Sequence, residues 1–133
     1  MKKFIAVGLV AIASGFSTAA ISAGEFGSAA EAKAMLEKAV VAVKANKATA
    51  LGQFAKGEGG FRDRDLYPFC GGPDGNFSAH PSLTGKSMKD LMSKANEPIG
   101  AKLYEAAKEG SIAEVPYMWP RPGTTEPVQK YSY

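Results

Sequence analysis

The first regular pattern in the chain is a run of apolar residues at helical spacing between residues 32 and 54. Charged residues such as Lys38 fall between them, so the apolar side chains share one face of a helix. Ser28 and Glu31 match a capping box just ahead of the run, and Gly57 is a natural end. The sequence therefore predicts one long helix across this run, with an alanine-rich face that allows close approach of another element.

Residues 66–81 alternate in the pattern of a β-hairpin. The segments LYPFC and NFSAH flank GGPDG, and Asp74-Gly75 is a strong signal for a type I′ turn. Centring the turn on these two residues pairs Cys70 with Ala79. Because faces alternate along a strand, this register predicts two distinct faces. The core face carries Leu66, Cys70, Phe77 and Ala79, and the second face carries Tyr67, Phe69 and His80.

The remaining pattern predicts further helices and a second hairpin. Ser87 can cap a helix in MKDLMSK, and a helix in PIGAKLYEAAKEG begins near Pro98 and stops at Gly110. SIAEVPYMWP is then extended, with Pro116 at an edge or bulged position, RPGTTEP forms a turn, and VQKYSY begins another strand. The order of long helix, hairpin, helices and hairpin predicts an α+β fold, in which an antiparallel sheet has helices to one side.

The amino terminus has the composition of a secretion signal. Two lysines precede an uncharged run across residues 4–21, and small residues follow up to Ala23. We expect residues 1–23 to be a cleaved signal peptide, which would leave residues 24–133 as one small periplasmic domain. The alternative is a membrane anchor retained at residues 4–21, but a spanning helix needs roughly 20 strongly apolar residues and this run includes serine, glycine and threonine.

The balance of charge argues against one class of partner. The full chain has a formal net charge of +3, whereas residues 24–133 have 14 basic and 13 acidic residues, a net charge of +1. These charges are dispersed, with no basic run and no nucleic-acid motif. We therefore expect no nucleic-acid partner.

Neither a catalytic centre nor a metal site is predicted. Cys70 is the single cysteine, and the hairpin register puts it and His80 on opposite faces, so a cysteine–histidine nucleophile pair is not expected. Asp63, Asp65 and Asp74 do not match a calcium loop, and zinc ligands are too few. Without a nucleophile–base pair or paired carboxylates, we expect no enzyme activity, no metal and no cofactor.

The segment YMWPRPG, residues 117–123, has three possible interpretations: a pocket wall, a proline-rich peptide motif, or a stiff loop. Its prolines do not have P-x-x-P spacing, which disfavours the peptide motif. A stiff loop explains the prolines but not Trp119 together with Arg121. A pocket wall explains both, because aromatic rings supply contact area and a guanidinium binds a carboxylate through two hydrogen bonds. The alternative to the pocket wall places Arg121 in solvent and Trp119 in the core.

In combination, the segments YPFC, DGNFSAHP, TGK, AAKEG, YMWPRPG and QKYSY resemble the single Cache domain of type 2. These are the PAS-like extracytoplasmic sensor domains of bacterial chemoreceptors and histidine kinases. The resemblance covers roughly residues 29–133. It implies a long amino-terminal helix packed behind a PAS-like antiparallel sheet, whose other face cups a small ligand, often a carboxylate.

The resemblance also implies a ligand site. Four features of the family have counterparts here: its first aromatic strand, its histidine-proline step, its W-P-x-P-G segment, and the lysine before its serine-tyrosine pair. The ligand-binding residues implied, in that order, are Tyr67, Phe69, His80, Tyr117, Trp119, Arg121 and Lys130. Independently of the resemblance, the hairpin register places the first three of these on one face.

Two departures from the family pattern lead to further expectations. The family's domain continues into a last strand, often with a cysteine, that is not found here. We therefore expect a truncated domain whose exposed strands seek a partner or pair in a homodimer. Cys70 would then be a free thiol, one half of an intermolecular disulfide, or a cysteine whose disulfide partner belongs to the missing strand.

The second departure is that no output module follows. The sequence thus predicts a periplasmic domain that binds or senses a small molecule and works with a membrane-bound receptor or kinase. The alternative is a structural or interaction protein that docks such a sensor through its exposed sheet.

Overall fold

The computed structural model describes residues 24–133, and the predicted signal peptide lies outside these residues. The elements in order are α1 (Ala29–Ala45), α2 (Lys47–Lys56), β1 (Cys70–Gly71), β2 (Phe77–Ala79), α3 (Ile99–Ala106), β3 (Val115–Pro120) and β4 (Pro127–Ser132). Helices and antiparallel strands are both present, which confirms the predicted α+β class. Within the described residues, no helix combines the length and apolarity needed to cross a membrane.

The amino-terminal helix begins as predicted but is interrupted. The Ser28 hydroxyl accepts a hydrogen bond from the Glu31 amide, and the Glu31 carboxylate accepts one from the Ser28 amide. Asn46 is extended, with φ of −156°, and its side chain accepts a hydrogen bond from the Thr49 amide at 3.0 Å to start α2. Asparagine favours such cap positions because its side chain competes for backbone groups. The prediction of one uninterrupted helix is therefore wrong, although Gly57, with φ of 71°, ends α2 where expected.

The turn of the first hairpin differs from the predicted type. The Gly75 amide donates a hydrogen bond to the Gly72 carbonyl at 3.0 Å, so Pro73 and Asp74 occupy the centre of the turn. Gly75 has φ of 84°, whereas Asp74 is not among the residues with positive φ. A type I′ turn requires positive φ at both central residues, which excludes the predicted centre at Asp74-Gly75.

The altered turn shifts the strand register. Cys70 lies opposite Ala79 as predicted, but Gly71 lies opposite Phe77, and a bulge separates the two pairs. Ala79 is buried among the residues that pack on the first two helices, whereas the Phe77 ring lies 5.0 Å from the His80 ring. The prediction that Phe77 shares a face with Cys70 and Ala79 is therefore wrong, because the bulge turns Phe77 toward the aromatic side.

The helix expected after Ser87 does not form. The Ser87 hydroxyl accepts a hydrogen bond from the Asp90 amide at 3.2 Å, as a cap would. However, the Met88 amide donates to the Gly75 carbonyl at 2.8 Å, so this segment bonds to the turn of the first hairpin. The Ser93 amide, which a helix would direct to the Lys89 carbonyl, instead donates to the Glu97 carbonyl at 2.9 Å, and the Leu91 carbonyl accepts from the Gly100 amide of α3 at 3.0 Å. These bonds use backbone groups that a helix would need, and the segment has no helix until α3.

The second hairpin forms along its whole predicted length. Residues pair from Val115 opposite Ser132 to Pro120 opposite Pro127. Its inner face is partly buried and carries Val115, Tyr117, Trp119, Val128, Lys130 and Ser132, and its outer face is exposed and carries Pro116, Met118, Gln129 and Tyr131. Within residues 24–133, the strands form two separate two-stranded sheets. A single PAS-like sheet is therefore not confirmed.

Two clusters of buried residues hold these elements together. The first cluster joins α1 and α2 to the first hairpin and consists of Ala39, Ala50, Phe54, Phe61 and Ala79. The second cluster joins the first hairpin to α3 and the second hairpin and consists of Phe77, Met88 and Leu103, with Val115 and Tyr117 packed against it. Neither cluster packs α1 against the second hairpin, which leaves a space between those two elements.

Candidate functional site

A cavity of about 740 Å³ occupies this space between α1 and the hairpins. One wall is the apolar face of α1, with Met35, Leu36, Ala39, Val40 and Val43. The opposite wall includes residues 65–71 and 129–133, together with Val115, Tyr117 and Arg121, and the cavity is also lined by Leu103 and by residues 106–109 and 111–113. The lining is largely apolar with a few charged side chains, which is the usual composition of a small-molecule site. Asp65, Arg121 and Lys130 lie close to one another, and the other charged residues of the lining are Lys44, Lys108 and Glu109.

Arg121 has the most informative surroundings in the cavity wall. It directly follows β3, and its carbonyl accepts a hydrogen bond from the Thr124 amide at 3.0 Å, which fixes the turn. The guanidinium carbon lies 3.7 Å from the centre of the Phe26 ring. Its Nε is buried, lies 3.6 Å from Asp65 Oδ2, and has no hydrogen-bond partner among the described residues. Nε therefore faces Asp65 just beyond hydrogen-bond distance, and a ligand can contact only the exposed part of the guanidinium, since the side chain is 30% exposed.

Ion pairs and hydrogen bonds at the start of α1 hold the partners of Arg121 in place. Asp65 Oδ1 accepts a hydrogen bond from the Gly27 amide at 2.8 Å. Arg64 donates to the Phe26 carbonyl at 2.9 Å and forms an ion pair with Glu31 at 2.7 Å. The hydrogen bond from Arg64 is the largest reason that the pKa of Glu31 is lowered to about 2. The loop before β1 is thus tied to the first turn of α1.

Lys130 adds a second positive charge at this end of the cavity. It lies opposite Tyr117 in the hairpin, and its Nζ is 5.2 Å from the centre of the Tyr67 ring. Burial lowers the pKa of Lys130, the carboxylate of Asp65 opposes this shift, and the charge of Arg121 adds to it. With Lys130 protonated, two cations face one carboxylate, so the site favours an anion over a cation.

Three of the predicted aromatic residues form a common wall. Tyr67, Phe69 and Tyr117 line the large cavity and also a small neighbouring one. The Tyr117 hydroxyl lies 2.8 Å from the Ser132 hydroxyl. Burial raises the pKa of Tyr67 to about 12 and also raises the pKa of Tyr117. Both phenols are therefore neutral near pH 7 and can act as hydrogen-bonding groups.

The structure separates His80 and Trp119 from the other predicted site residues. Both line the small cavity, of about 20 Å³, and neither lines the large one. A cavity of this size holds about one water molecule and is too small for an organic ligand. The structure thus brings together Tyr67, Phe69, Tyr117, Arg121 and Lys130 around the large cavity.

His80 has a structural environment. Its Nδ1 accepts hydrogen bonds from the Ser82 amide at 3.0 Å and the Leu83 amide at 3.2 Å, and its ring packs against the rings of Tyr67 and Phe77. Burial lowers the pKa of His80 to about 4, and the charge of Lys130 contributes in the same direction. The ring is therefore neutral near pH 7, with its proton on Nε2, and it orders the loop that follows β2.

Cys70 and His80 do not form a nucleophile pair. Cys70 packs against the first cluster, next to the helices, while His80 lies among the aromatic rings on the other side of the hairpin. Burial raises the pKa of the Cys70 thiol, which disfavours the reactive thiolate. In the part of the chain that the structure describes, no three His, Cys, Asp or Glu side chains are grouped so that they could hold a metal ion.

Sequence reasoning missed two residues of the site, Phe26 and Asp65. Phe26 lies ahead of the capping box, where no periodic pattern marks it. Asp65 lies between Arg64 and the first hairpin, and its acidity alone does not show that it faces Arg121. Only the tertiary fold brings these residues together.

No protein-family model matches this chain, and neither a curated protein nor a solved structure matches it.

Proposed function

We propose that this chain is a periplasmic, non-enzymatic domain of single Cache type that binds a small carboxylate in the cavity between α1 and the hairpins. The observation that carries the proposal is the pairing of two cations, Arg121 and Lys130, with one carboxylate, Asp65, in the wall of a largely apolar cavity. The likeness of the sequence motifs to type 2 single Cache domains supports the same class of ligand.

The charges suggest how the ligand is oriented. A carboxylate at the end of the cavity accepts hydrogen bonds from Arg121 and lies within the field of Lys130, whereas its apolar part packs against Met35 and Leu36 of α1. Asp65 repels a second negative charge at the same end, because its carboxylate lies 3.6 Å from Arg121 Nε. The site therefore favours monocarboxylates over dicarboxylates.

A thermal-shift screen of small carboxylates and amino acids tests the proposal, since a ligand that binds only the folded state raises the melting temperature. The affinity of each compound found is then measured by calorimetry. We expect Arg121→Ala to remove a charge-assisted contact of about 1.5–3 kcal/mol, which weakens binding about 10- to 150-fold.

Arg62→Ala is the matched control, because Arg62 is exposed and lies outside the cavity lining. We expect this variant to bind with the affinity of the parent. Unchanged affinity in Arg121→Ala would contradict the proposal, as would a screen in which no carboxylate raises the melting temperature.

A second candidate function is an interaction protein that docks a membrane-bound receptor or kinase through its sheet. The outer face of the second hairpin favours it, because Met118 is 40% exposed and Tyr131 is 49% exposed on that face. We expect Met118→Lys to abolish any self-association seen by analytical ultracentrifugation without changing carboxylate binding, because Met118 is exposed and lies outside the cavity lining. Association lost in this variant, combined with no carboxylate binding in the parent, would favour the interaction protein.

A further inference from the structure

We propose that the carboxylate recognised by this cavity is the free carboxyl terminus of an extended peptide, which inserts as a strand between β1 and β4. The inference rests on the proposed carboxylate-binding function and assigns the bound carboxylate to the end of a peptide and not to a small acid.

The cavity follows two segments of chain, one formed by residues 65–69 that lead into β1 together with β1 itself, and the other by the second half of β4. Seven consecutive residues, 65–71, line it on one side, and five consecutive residues, 129–133, line it on the other. Side chains of a strand alternate between faces, so a cavity on a sheet face touches every second residue, whereas the consecutive contacts of residues 129–132 place the cavity along the edge of β4. β3 lines the cavity with Val115 and Tyr117, which are alternate residues, as expected for the face of the second hairpin.

Backbone groups are free along these segments. Within residues 24–133, β1 pairs with β2 and β4 pairs with β3, but β1 and β4 do not pair with each other. Tyr67 and Phe69 form no main-chain hydrogen bond with the other described residues. Unpaired amides and carbonyls on a strand edge are the groups that bind an added strand.

The length of the cavity suits a short peptide better than a small acid. Its lining extends along α1 from Ala29 to Lys44, which is about 23 Å at 1.5 Å per residue. An extended chain of about seven residues covers that distance at roughly 3.3 Å per residue. Apolar side chains of the peptide would lie on the apolar face of α1, at residues such as Met35 and Val40.

Charge complementarity sets the direction of the peptide. Asp65, at the start of the first segment, contacts Arg121 beside the start of β4, and further along Lys130 of β4 contacts Tyr67, so the two segments run in the same direction. A strand inserted antiparallel to both points its carboxyl end toward their starts. There the peptide carboxylate meets Arg121 and Lys130, whose charges it complements.

The test uses two pools of heptapeptides randomised among apolar residues at alternate positions, one pool with free carboxyl termini and one amidated. Binding is followed by amide hydrogen exchange with mass spectrometry and by the shift in melting temperature. We expect the free-acid pool to slow exchange in residues 65–71 and 129–133, because their edge amides become hydrogen-bonded. The best binder should weaken about 10- to 150-fold when it is amidated or when the protein carries Arg121→Ala.

A second peptide, identical to the best binder but N-methylated at its central residue, tests the strand pairing. It loses one backbone hydrogen bond to either segment, so we expect about 2- to 13-fold weaker binding. Arg62→Ala should leave all of these affinities unchanged.

Several results would overturn the inference. Binding of propanoate without binding of the free-acid pool would leave the proposed function standing and refute the peptide. Equal binding of acid and amide pools would refute recognition of the carboxyl terminus. The protein without any peptide could also show slow amide exchange along both segments together with a dimeric mass. That result would mean that a second copy of the chain occupies the cavity. If no small acid, propanoate included, and neither peptide pool binds, the proposed carboxylate-binding function is refuted as well.

Discussion

At the scale of single residues, the candidate site contains an arginine whose position is set by its neighbours. The guanidinium of Arg121 lies on the Phe26 ring, and its Nε faces Asp65, which in turn accepts a hydrogen bond from the Gly27 amide. The contact between Arg121 and Asp65 is 3.6 Å long and is not a hydrogen bond, so this ion pair is weaker than one with two parallel hydrogen bonds. The fixed guanidinium is therefore of more consequence for a ligand than for the fold.

We predict that Arg121→Lys recovers part of the carboxylate affinity that Arg121→Ala loses. Lysine keeps the positive charge but lacks the planar fork that donates two parallel hydrogen bonds, and it stacks less well on Phe26. We expect binding about 5-fold weaker than that of the parent, from a loss of about 1 kcal/mol, measured by calorimetry with the same carboxylate. Full recovery would mean that charge alone is recognised and would rule out a two-hydrogen-bond contact.

His80 should make folding stability depend on pH. Its pKa is lowered from 6.5 to about 4, so the unfolded state binds the proton more tightly than the folded state between these pH values. The stability contributed by neutral His80 is therefore complete above about pH 6.5 and is lost as the pH falls toward about 4. The loss is at most about 3 kcal/mol, at about 1.4 kcal/mol for each unit of pKa.

We predict that His80→Asn flattens this pH dependence, measured by urea denaturation between pH 7 and pH 4. Asparagine keeps an acceptor for the Ser82 and Leu83 amides but does not titrate. Carboxylates such as Glu31 titrate in both proteins, so the difference between the two pH profiles isolates His80. Parallel profiles for the parent and the variant would show that the imidazole is not shielded as the structure indicates.

Residue types predicted part of this site, because their chemistry is visible in a sequence. The aromatic and guanidinium chemistry of YMWPRPG predicts Tyr117 and Arg121 as pocket residues, the hairpin register and the family resemblance add Tyr67, and all three line one cavity. The hydrogen bonds that His80 accepts from its own loop were not predicted, because they depend on a local backbone path that no pattern encodes. The contact between Arg121 and Phe26 joins opposite ends of the described chain, so only the fold reveals it.

At the scale of elements, local signals predicted the ends of helices better than their continuity. The capping box at Ser28 and the glycine at Gly57 are local, and both act as expected. The break at Asn46 and the loss of the helix after Ser87 arise because a side chain or a tertiary hydrogen bond competes for the same backbone groups. Periodicity of apolar residues does not report that competition.

Two glycines in helices should respond in opposite ways to alanine. A Cβ added at Gly52 in α2 meets no atom within 4 Å, whereas one at Gly100 in α3 overlaps the Met88 carbonyl oxygen and lies 2.9 Å from Leu91 Cβ. We predict that Gly52→Ala stabilises the fold by about 0.5–1 kcal/mol, since alanine restricts the unfolded chain.

We predict that Gly100→Ala instead destabilises the fold by about 1–3 kcal/mol, because the α3 backbone must move away from the turn that carries Met88. Urea denaturation of both variants provides the comparison, and Gly52→Ala serves as the control for the change in helix propensity. A neutral or stabilised Gly100→Ala variant would mean that α3 is not seated closely on that turn.

At the scale of the whole molecule, two hydrophobic clusters meet at the first hairpin. Cys70 and Ala79 belong to the side that faces α1 and α2, and Phe69 and Phe77 belong to the side that faces α3 and the second hairpin. The sequence predicted both hairpins but not their failure to join in one sheet, because alternation along a strand identifies its faces and not its neighbours. The cavity between α1 and the second hairpin follows from that arrangement.

This division predicts that the elements joined by the first cluster and those joined by the second cluster have different free energies of local unfolding. Leu103 is 8% exposed in the second cluster, so Leu103→Ala should cost about 2–5 kcal/mol and act chiefly on the elements that this cluster joins. In native-state hydrogen exchange, we expect Leu103→Ala to lower the protection of α3, β3 and β4 more than that of α1 and α2. Leu51→Ala is the matched control, because Leu51 packs against the first cluster and should give the opposite pattern. An equal loss of protection across all elements in both variants would show that the domain opens as a single cooperative unit, with the cavity inside one core and not between two.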